Sequence, residues 1–348
     1  MPLDVVTAGE SHGPALVAIV TGLPAGLRLD RQAIEEDLAR RRSGYGRSPR
    51  QRLERDEVEV LAGLRHGVTL GTPLALLVRN RDHRNWAWGM SPWPPAGEPH
   101  GKGTKPVTLP RPGHADLAGA LKYGHDDVRN ALERASARQT AIDVAVGAVG
   151  KTLLGEVGIR VVGRVVEVGG ERDPSRWQEV TDAARRDRDT LGGIVEVEAE
   201  GVPPGLGSYA ERRTRLDARL AQALMGIQAV KAVEVGDGLA LARARGSEAH
   251  DVIEPGLRRP TNRAGGLEGG VTNGQPVVVR VAMKPLPTLM RPLPSVDLAT
   301  GDAAAALVER SDVQAVEALA VVAECAVAWE LARAAVDKFG GDAVSDFV

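Results

Sequence analysis

The amino-acid sequence predicts an α+β fold in which two similar β/α halves, with antiparallel sheets and long helices, form a layered sandwich. Three observations support this prediction. A turn of the pattern Gly-x-Pro-x-Gly occurs at residues 22–26 and again at residues 201–205, each time after a short apolar strand. The elements around each turn are predicted in the same order, and each half closes with a long, mostly apolar helix. We therefore expect one domain of 348 residues with an internal pseudo-repeat, at about residues 1–156 and 157–348.

Each predicted element has a local signal. Strands are predicted where apolar residues run or alternate over a few positions, and amphipathic helices where they recur every three or four positions. In the first half the elements are a strand at residues 15–20, a helix with Ile34 and Leu38 on one face, strands at 58–61 and 74–78, and a long helix near 131–154. In the second half they are a strand at 194–199, a helix with Leu216, Leu220 and Leu224 on one face, strands at 232–235 and 277–283, and a long helix near 313–338. Residues 86–110, which hold three of the five tryptophans, predict a long ordered loop.

Composition and charge exclude several classes of protein. Lys+Arg number 44 and Asp+Glu 46, so the net charge of −2 creates no global field toward nucleic acid or an anionic membrane. Hydrophobic residues make up 43% and charged residues 26%, which is typical of a folded globular protein. The single cysteine, Cys325, excludes an internal disulfide and fits a reducing compartment. No apolar run is long enough to span a membrane, and the first residues are unlike a secretory signal, so a cytoplasmic location is expected.

Histidines stand in two turns that suit acid–base chemistry. His12 lies between polar residues and glycine after a short strand, where an imidazole can take or give a proton near neutral pH. His114 projects from a Pro-Gly bend, and Asp116 is expected to cap a helix that starts at Leu117. A lone histidine in a turn is more often a surface residue, so either one alone is a weak signal. His125 is a third imidazole nearby, but no metal-ligand spacing accompanies it, so no metal is predicted.

Positive charge is concentrated in a few segments. Seven arginines lie between residues 40 and 55, a cluster that suits a solvated face, a clamp on small anions or, least favoured, an RNA-binding patch. Residues 134–138 open the predicted long helix, where free N–H groups and Ser136 are suited to hold an anion or the polar edge of a flavin. The glycine-rich residues 262–270 allow close approach of a ligand, and Lys284 stands at the tip of a strand. A phosphate- or RNA-binding regulatory protein and a metal-dependent phosphohydrolase are the alternative functions that these residues leave open.

Taken together, these segments resemble the chorismate synthase family over nearly the whole chain. The GESHG motif of the family ends at Gly13, its arginine-rich loop covers residues 41–47 and its RPGHAD motif covers residues 111–116. Further matches are KYG at 122–124, SAR at 136–138, VPxGLG at 202–207, LDAxLxxALM at 216–225, VKxVEVGDG at 230–238, AGGxxGG at 264–270 and MKP at 283–285. So many motifs in the order of the family leave little room for chance.

The resemblance implies a phosphate lyase that converts 5-enolpyruvylshikimate 3-phosphate to chorismate and phosphate, the last common step of aromatic amino-acid biosynthesis. This anti 1,4-elimination needs reduced FMN without net redox change. In the usual account of the family, the reduced flavin lends electron density as phosphate departs and recovers it as hydrogen leaves. Fungal members reduce their own flavin through an insertion for which this length leaves no room, so an external flavin reductase using NADPH is expected. The family is tetrameric, so a homotetramer is expected too.

The same resemblance implies three catalytic residues. His12 corresponds to the acid near the leaving phosphate, His114 to the histidine that protonates or stabilises the reduced flavin, and Asp312 to the aspartate that assists the final proton removal. The chain departs from the family at two histidines. Ser311 replaces the histidine of the usual RHD, and Arg263 replaces that of the usual NHAGG, so neither histidine is essential here.

Binding residues are implied at further positions. Contacts to phosphate or NADP fall on Ser11, Arg41 and Arg47. These arginines and Lys284 supply the positive charge that anionic phosphates and carboxylates require whatever the mechanism. Flavin contacts fall on Arg134, Ala135, Ser136, Gln228, Ala229, Gly269, Lys284, Pro285, Leu286, Pro287, Thr288 and Arg310. Ala135 stands where the family has a serine, which argues against a hydroxyl role at that position.

Overall fold

The α+β architecture predicted from the sequence is confirmed in the computed structural model, which describes residues 1–47, 55–309 and 311–347. The elements of the first half are β1 (Asp4–Ala8), β2 (Ala15–Thr21), α1 (Arg31–Arg42), β3 (Val58–Ala62), β4 (Leu64–Arg65), β5 (Val68–Thr69), β6 (Leu74–Arg79), α2 (Asp116–Tyr123), α3 (Arg129–Ala135) and α4 (Thr140–Gly155). Those of the second half are β7 (Arg160–Val168), α5 (Trp177–Arg186), β8 (Gly193–Glu200), α6 (Leu216–Met225), β9 (Val230–Val235), α7 (Gly246–Ala249), β10 (Leu267–Glu268), β11 (Val271–Thr272), β12 (Val277–Met283), β13 (Pro294–Val296), β14 (Ala303–Ala305) and α8 (Val316–Phe339).

Each half of the chain forms one four-stranded antiparallel sheet. The strand order is β1-β2-β6-β3 in the first sheet and β7-β8-β12-β9 in the second. In both, the strand that comes last along the chain is inserted between the second and the third. Buried and half-buried positions alternate along β12, as expected for a strand that turns one face to the core. A short two-stranded ribbon, β4–β5 or β10–β11, precedes this inserted strand in each half.

Helices form the layers between the two sheets. α4 packs on β2 and β6 of the first sheet, α8 packs on β7 and β8 of the second, and the two helices pack on each other. Because both helices are covered on several sides, most of their residues are buried and apolar. Gly147 of α4 allows the close approach, since a Cβ built there would lie 2.3 Å from Cys325 Cβ of α8.

The prediction of one long helix near residues 131–154 is wrong in one respect, because this segment forms two helices, α3 and α4. Ser136 separates α3 from α4 with an extended backbone at φ −64° and ψ 140°. Its Oγ accepts a hydrogen bond from the backbone N–H of Arg138 at 3.3 Å, which stabilises the break. The helix predicted near 313–338 begins at Val316, and β7 and α5 have no counterpart among the predicted elements. The break matters for function because it turns residues 136–138 toward a cavity.

The long loop predicted at residues 86–110 contains no helix or strand. It is anchored at its start by Trp86, which is 9% exposed and lies against His12. Within the described parts of the chain, no helix is both long and apolar enough to cross a membrane.

Candidate active site

One cavity of about 520 Å³ lies where the start of α4 meets the loops that follow β1 and β12. Its volume is within the range of about 300–1,000 Å³ that is typical of small-molecule sites. It brings together fourteen of the predicted site residues, namely Ser11, His12, Arg41, Arg47, His114, Ala135, Ser136, Gln228, Ala229, Lys284, Leu286, Pro287, Thr288 and Asp312.

His12 has a fixed orientation on one wall of this cavity. Its Nδ1 lies 2.9 Å from Glu133 Oε1, and its backbone N–H donates to Glu133 Oε2 at 2.8 Å. The imidazole stacks on Trp86 with the ring centroids 4.0 Å apart. The turn itself is held by Asn80, whose Nδ2 donates to two of its carbonyl oxygens. Because an ionised carboxylate only accepts hydrogen bonds, Nδ1 carries the proton, and Nε2 is the ring nitrogen left for chemistry in the cavity.

His114 is also held by a carboxylate, that of Asp116. The helix-capping role predicted for Asp116 is wrong. Asp116 does not cap a helix; α2 begins at Asp116 itself, and the carboxylate turns back onto the Pro-Gly bend. There it accepts a hydrogen bond from Arg111 Nε at 2.8 Å and lies 2.5 Å from His114 Nδ1. Burial raises the pKa of Asp116, but the hydrogen bonds from His114 and Arg111 outweigh it and hold the pKa well below its usual range. The ionised carboxylate therefore orients the imidazole through Nδ1.

Arg41 and Arg138 share a single buried carboxylate at another wall. Asp56 Oδ2 lies 3.3 Å from Arg41 Nη1, and Asp56 Oδ1 lies 2.5 Å from Arg138 Nη1. Arg41 Nε also donates to Thr140 Oγ1 at 2.8 Å. Burial lowers the pKa of Arg41 to about 10, an effect that Asp56 opposes and the nearby Arg138 and Arg47 increase. Arg42 Nε lies 3.8 Å from the same carboxylate, so at least three guanidinium groups around Asp56 leave net positive charge beside the cavity.

Arg47 and Lys284 have donors that are available to an anion. Arg47 Nη1 pairs with Asp312 Oδ2 at 2.8 Å, but its Nε is buried and has no hydrogen-bond partner among the described residues. Lys284 Nζ donates to the backbone carbonyl of Gly113, and no carboxylate in the described ranges forms an ion pair with it. Burial, with a contribution from the charge of Lys231, lowers the pKa of Lys284. An anion in the cavity would satisfy both groups.

Three of the predicted flavin contacts are not brought to this cavity, and a fourth cannot be placed. The guanidinium of Arg134 binds β1, donating to the carbonyls of Thr7 at 3.0 Å and Gly9 at 3.1 Å. Pro285 does not line the cavity, and neither does Gly269, which lies in the turn between β10 and β11. Arg310 lies outside the residues that the structure describes.

The arginine cluster at residues 40–55 serves several sites rather than one face. Arg40 pairs with the buried Glu324 of α8 at 2.8 Å, and Arg42 lies 3.8 Å from Asp56, so both are tied to the protein interior. The arginines at 50 and 52 lie outside the described residues. His125, the third imidazole, stacks on the exposed Tyr123 and does not line the cavity. No group of metal-ligating side chains comes together in the ranges that the structure covers.

The residues that hold the site together were missed by the sequence analysis. Glu133 is 121 positions from His12, and Asp56 is 82 positions from Arg138, so no local pattern connects them. Trp86 belongs to the long loop predicted at residues 86–110, but nothing in the sequence predicts that its ring stacks on His12. Arg111 belongs to the RPGHAD motif, and this motif could have indicated that Arg111 is a site residue. Its Nη1 donates to Thr288 Oγ1 at 2.9 Å and thereby joins two predicted segments.

The donor set of the cavity fits a flavin phosphate and a phosphorylated, carboxylate-bearing substrate. Among the described residues, five cationic side chains line it against two carboxylates: Arg41, Arg47, Arg111, Arg138 and Lys284 against Glu309 and Asp312. The buried Nε of Arg47, which has no partner among the residues that the structure describes, is a donor suited to a ligand oxygen. Apolar surface from Ile227, Leu286 and Leu319 is suited to a flat ring system. Both the charged and the apolar requirements of these ligands are therefore met in one space.

Comparison with known proteins agrees with this geometry. The sequence profile of the family described as chorismate synthase matches residues 3–336. A chorismate synthase of Desulforudis audaxviator is 52% identical, with 99% of this chain and 95% of that protein aligned. One of Symbiobacterium thermophilum is 54% identical, with 98% and 95% aligned. A crystal structure of chorismate synthase is similar with a TM-score of 0.78 at 37% identity, over 100% of this chain and 95% of that one.

Proposed function

Because the chain belongs to the chorismate synthase family, and is thus a carbon–oxygen lyase of aromatic amino-acid biosynthesis, we propose the following reaction for it. It converts 5-enolpyruvylshikimate 3-phosphate to chorismate and inorganic phosphate by an anti 1,4-elimination. The family implies a flavin cofactor, and we propose that this is reduced FMN, used without net redox change.

One observation carries the proposal: His12 and His114 line the same cavity, and each has Nδ1 held by a buried carboxylate. Their Nε2 atoms are then available as acid–base groups in a site with surplus positive charge. Loss of phosphate needs a proton donor and cations at the departing oxygens, and loss of hydrogen needs a base. The cavity holds candidates for each of these roles.

The proposed role of each residue follows from its position. Arg41, Arg47 and Lys284 bind the anionic groups of the substrate, with Ser11 as a further phosphate contact, and keep the departing phosphate in place. His12 donates a proton from Nε2 to the leaving oxygen, which lowers the charge that develops there.

His114 acts toward the flavin, and Asp312 acts on the hydrogen that leaves carbon. His114 holds a proton toward the pyrimidine edge of the flavin, and the carboxylate of Asp312 assists removal of hydrogen from carbon. Asp312 is paired with Arg47, which holds its carboxylate at the wall of the cavity. Reduced FMN, when bound, supplies electron density to the breaking carbon–oxygen bond. Ala135 offers only a methyl group to the flavin, so hydrogen bonding at this segment falls to Ser136.

The direct test is an anaerobic assay with photoreduced FMN that follows the absorbance of chorismate. We expect His12→Ala and His114→Ala each to lower turnover by about 10- to 10,000-fold because each removes an acid–base group. His125→Ala is the matched control, since that imidazole does not line the cavity, and it should keep wild-type turnover. Near-normal rates in both cavity variants would refute their catalytic assignment.

We propose that the flavin is reduced by a separate NADPH-dependent reductase. In the anaerobic assay with oxidised FMN and NADPH as the only reductant, no chorismate should form until a flavin reductase is added. Rapid formation without the reductase would show that the chain uses NADPH itself.

We propose a homotetramer, and the outer face of the first sheet supports it. Val6 and Ile19 lie opposite each other there and are 70% and 39% exposed, although both are apolar. The outer face of the second sheet instead carries ion pairs of Glu196 with Arg164 and Arg280. Sedimentation should give four copies for the wild type and fewer for Val6→Lys; an unchanged mass would exclude this face as an interface.

Two further proposals concern the chain as a whole. The identical strand order of the two sheets supports a single domain built from two similar units, about residues 1–156 and 157–348. The free, buried Cys325 supports a reducing, cytoplasmic location.

A further inference from the structure

We propose that Glu133 is a positioning residue for His12: it selects the tautomer of the imidazole and directs Nε2 into the cavity. This inference rests on the proposed function, in which Nε2 of His12 protonates the departing phosphate. Glu133 does not line the cavity, so its carboxylate acts on the reaction through His12.

Glu133 forms hydrogen bonds with the turn that contains Ser11 and His12 at three donor atoms. Its backbone carbonyl accepts a hydrogen bond from Ser11 N at 3.1 Å. Its carboxylate accepts from the backbone N–H of His12 at 2.8 Å, and its two oxygens lie 2.9 and 3.0 Å from His12 Nδ1. The side chain of Glu133 is only 1% exposed, so water cannot take the place of these contacts. The carboxylate therefore fixes both the path of the backbone and the angle of the ring.

Neighbouring groups complete the restraint on His12. His83 Nδ1 is 2.9 Å from the carbonyl oxygen of His12 and donates to it. Trp86 covers one face of the imidazole with an interplanar angle of 23°. Arg129 Cζ lies 5.0 Å from the centre of the Trp86 ring, and Arg129 Nη1 lies 3.6 Å from Glu133 Oε1. The charge of Arg129 therefore balances that of the buried carboxylate. Each contact approaches His12 from a side other than that of Nε2.

The chemistry of an acid explains why such a restraint is useful. A neutral imidazole has one protonated nitrogen, and a carboxylate at Nδ1 selects the form in which Nε2 is free to gain and lose a proton. The same carboxylate stabilises the imidazolium that must exist before the proton is transferred. Asp116 holds His114 in the same way, through Nδ1 at 2.5 Å. The site thus contains two histidine–carboxylate pairs, and the two histidines belong to separate turns.

The test compares Glu133→Gln, His12→Ala and the double variant in the anaerobic assay. We expect Glu133→Gln to lower kcat by about 10- to 1,000-fold with a much smaller change in KM, as for residues that orient a catalytic or metal-bound histidine. In the His12→Ala background the same substitution should cause no further loss, because Glu133 has nothing left to position. Glu59→Gln, which removes an exposed carboxylate paired with Arg79 at 2.6 Å, is the matched control and should leave kcat unchanged.

A second measurement does not depend on activity. In the ligand-free protein labelled with 15N-histidine, the signals lost in His12→Ala identify His12, and they should show the Nδ1–H form. In Glu133→Gln the proportion of that form should fall, because the amide group can also donate to Nδ1. If Glu133→Gln does not fold, Glu133→Asp, whose carboxylate is one methylene shorter and cannot keep the same contacts with His12, replaces it in the kinetic assay, where its loss of kcat should again disappear in the His12→Ala background. The tautomer should not change in this variant, because an aspartate carboxylate still only accepts hydrogen bonds.

The outcomes separate this inference from the proposed function. A normal kcat in the folded Glu133 variant, an unchanged tautomer in Glu133→Gln, or an equal loss of activity with and without His12 would each overturn the positioning role. A normal rate for His12→Ala would instead overturn the proposed function, and the tautomer spectrum would still decide whether Glu133 controls the ring.

Discussion

Replacing Gly147 by alanine tests whether the close contact between α4 and α8 supports the fold. The new Cβ would lie 2.3 Å from Cys325 Cβ and 2.6 Å from both the Cα and the carbonyl oxygen of Cys325. Ordinary carbon contacts are about 3.5–4.0 Å long, so the helices would have to separate by roughly 1 Å. The obstruction is largely backbone, which a change of rotamer cannot relieve.

Two opposing effects decide the magnitude. Overpacking a core by one methyl group destabilises a protein by about 1–3 kcal/mol, and the tight backbone contact here favours the upper part of that range. Alanine is better than glycine inside a helix by about 1 kcal/mol, which offsets part of the loss. We therefore expect Gly147→Ala to lower the free energy of unfolding by about 2 kcal/mol.

The assay is urea unfolding followed by circular dichroism, at one protein concentration because the chain is proposed to be oligomeric. Gly155→Ala in the same helix is the matched control, since a Cβ there meets nothing within 4 Å. This control should be as stable as the wild type or more so. If Gly147→Ala were as stable as Gly155→Ala at an unchanged slope, the steric reasoning would be refuted.

Three further predictions concern charge. Asp56→Asn leaves Arg41 and Arg138 without their carboxylate and should lower stability by about 3–5 kcal/mol; inorganic phosphate should raise its melting temperature more than that of the wild type, and an equal rise would contradict this. Burial raises the pKa of Asp143 from 3.8 to about 6, so this group's contribution to stability is present below pH 4 and is lost as pH rises through 6. Asp143→Asn should therefore have a higher free energy of unfolding than the wild type at pH 7.5, by up to about 3 kcal/mol, but not at pH 4. If urea titrations gave the same difference in free energy of unfolding at both pH values, the proposed pH dependence would be contradicted. Lys284→Gln should raise KM for the phosphorylated substrate by about 10- to 100-fold through loss of a charged hydrogen bond, and an unchanged KM in the anaerobic assay would exclude that contact.

Much of the fold could be predicted because its signals are local. The strands and the two amphipathic helices of the repeated units appear where apolar residues recur with the period of each element, as in β12 at Val277–Met283. The break in the predicted helix at 131–154 was not visible, because Ser136 is compatible with a helix and is extended here through contacts with residues around it. β7 was not predicted, because a half-buried strand with arginine and glycine at several positions lacks a clear alternation.

The motifs of this chain by themselves determined the family and most of the residues that face the cavity, because those residues occur in short, distinctive segments. The tertiary structure alone decided how these residues are held and which cations remain available. The sequence predicted Asp116 as a helix cap, whereas its carboxylate orients His114. The flavin contact of Arg134 stays a prediction, and in the fold its guanidinium donates to the carbonyl of Thr7. Pairs such as Glu133 with His12 form between positions 121 residues apart, and only the folded path of the chain determines which buried charges meet.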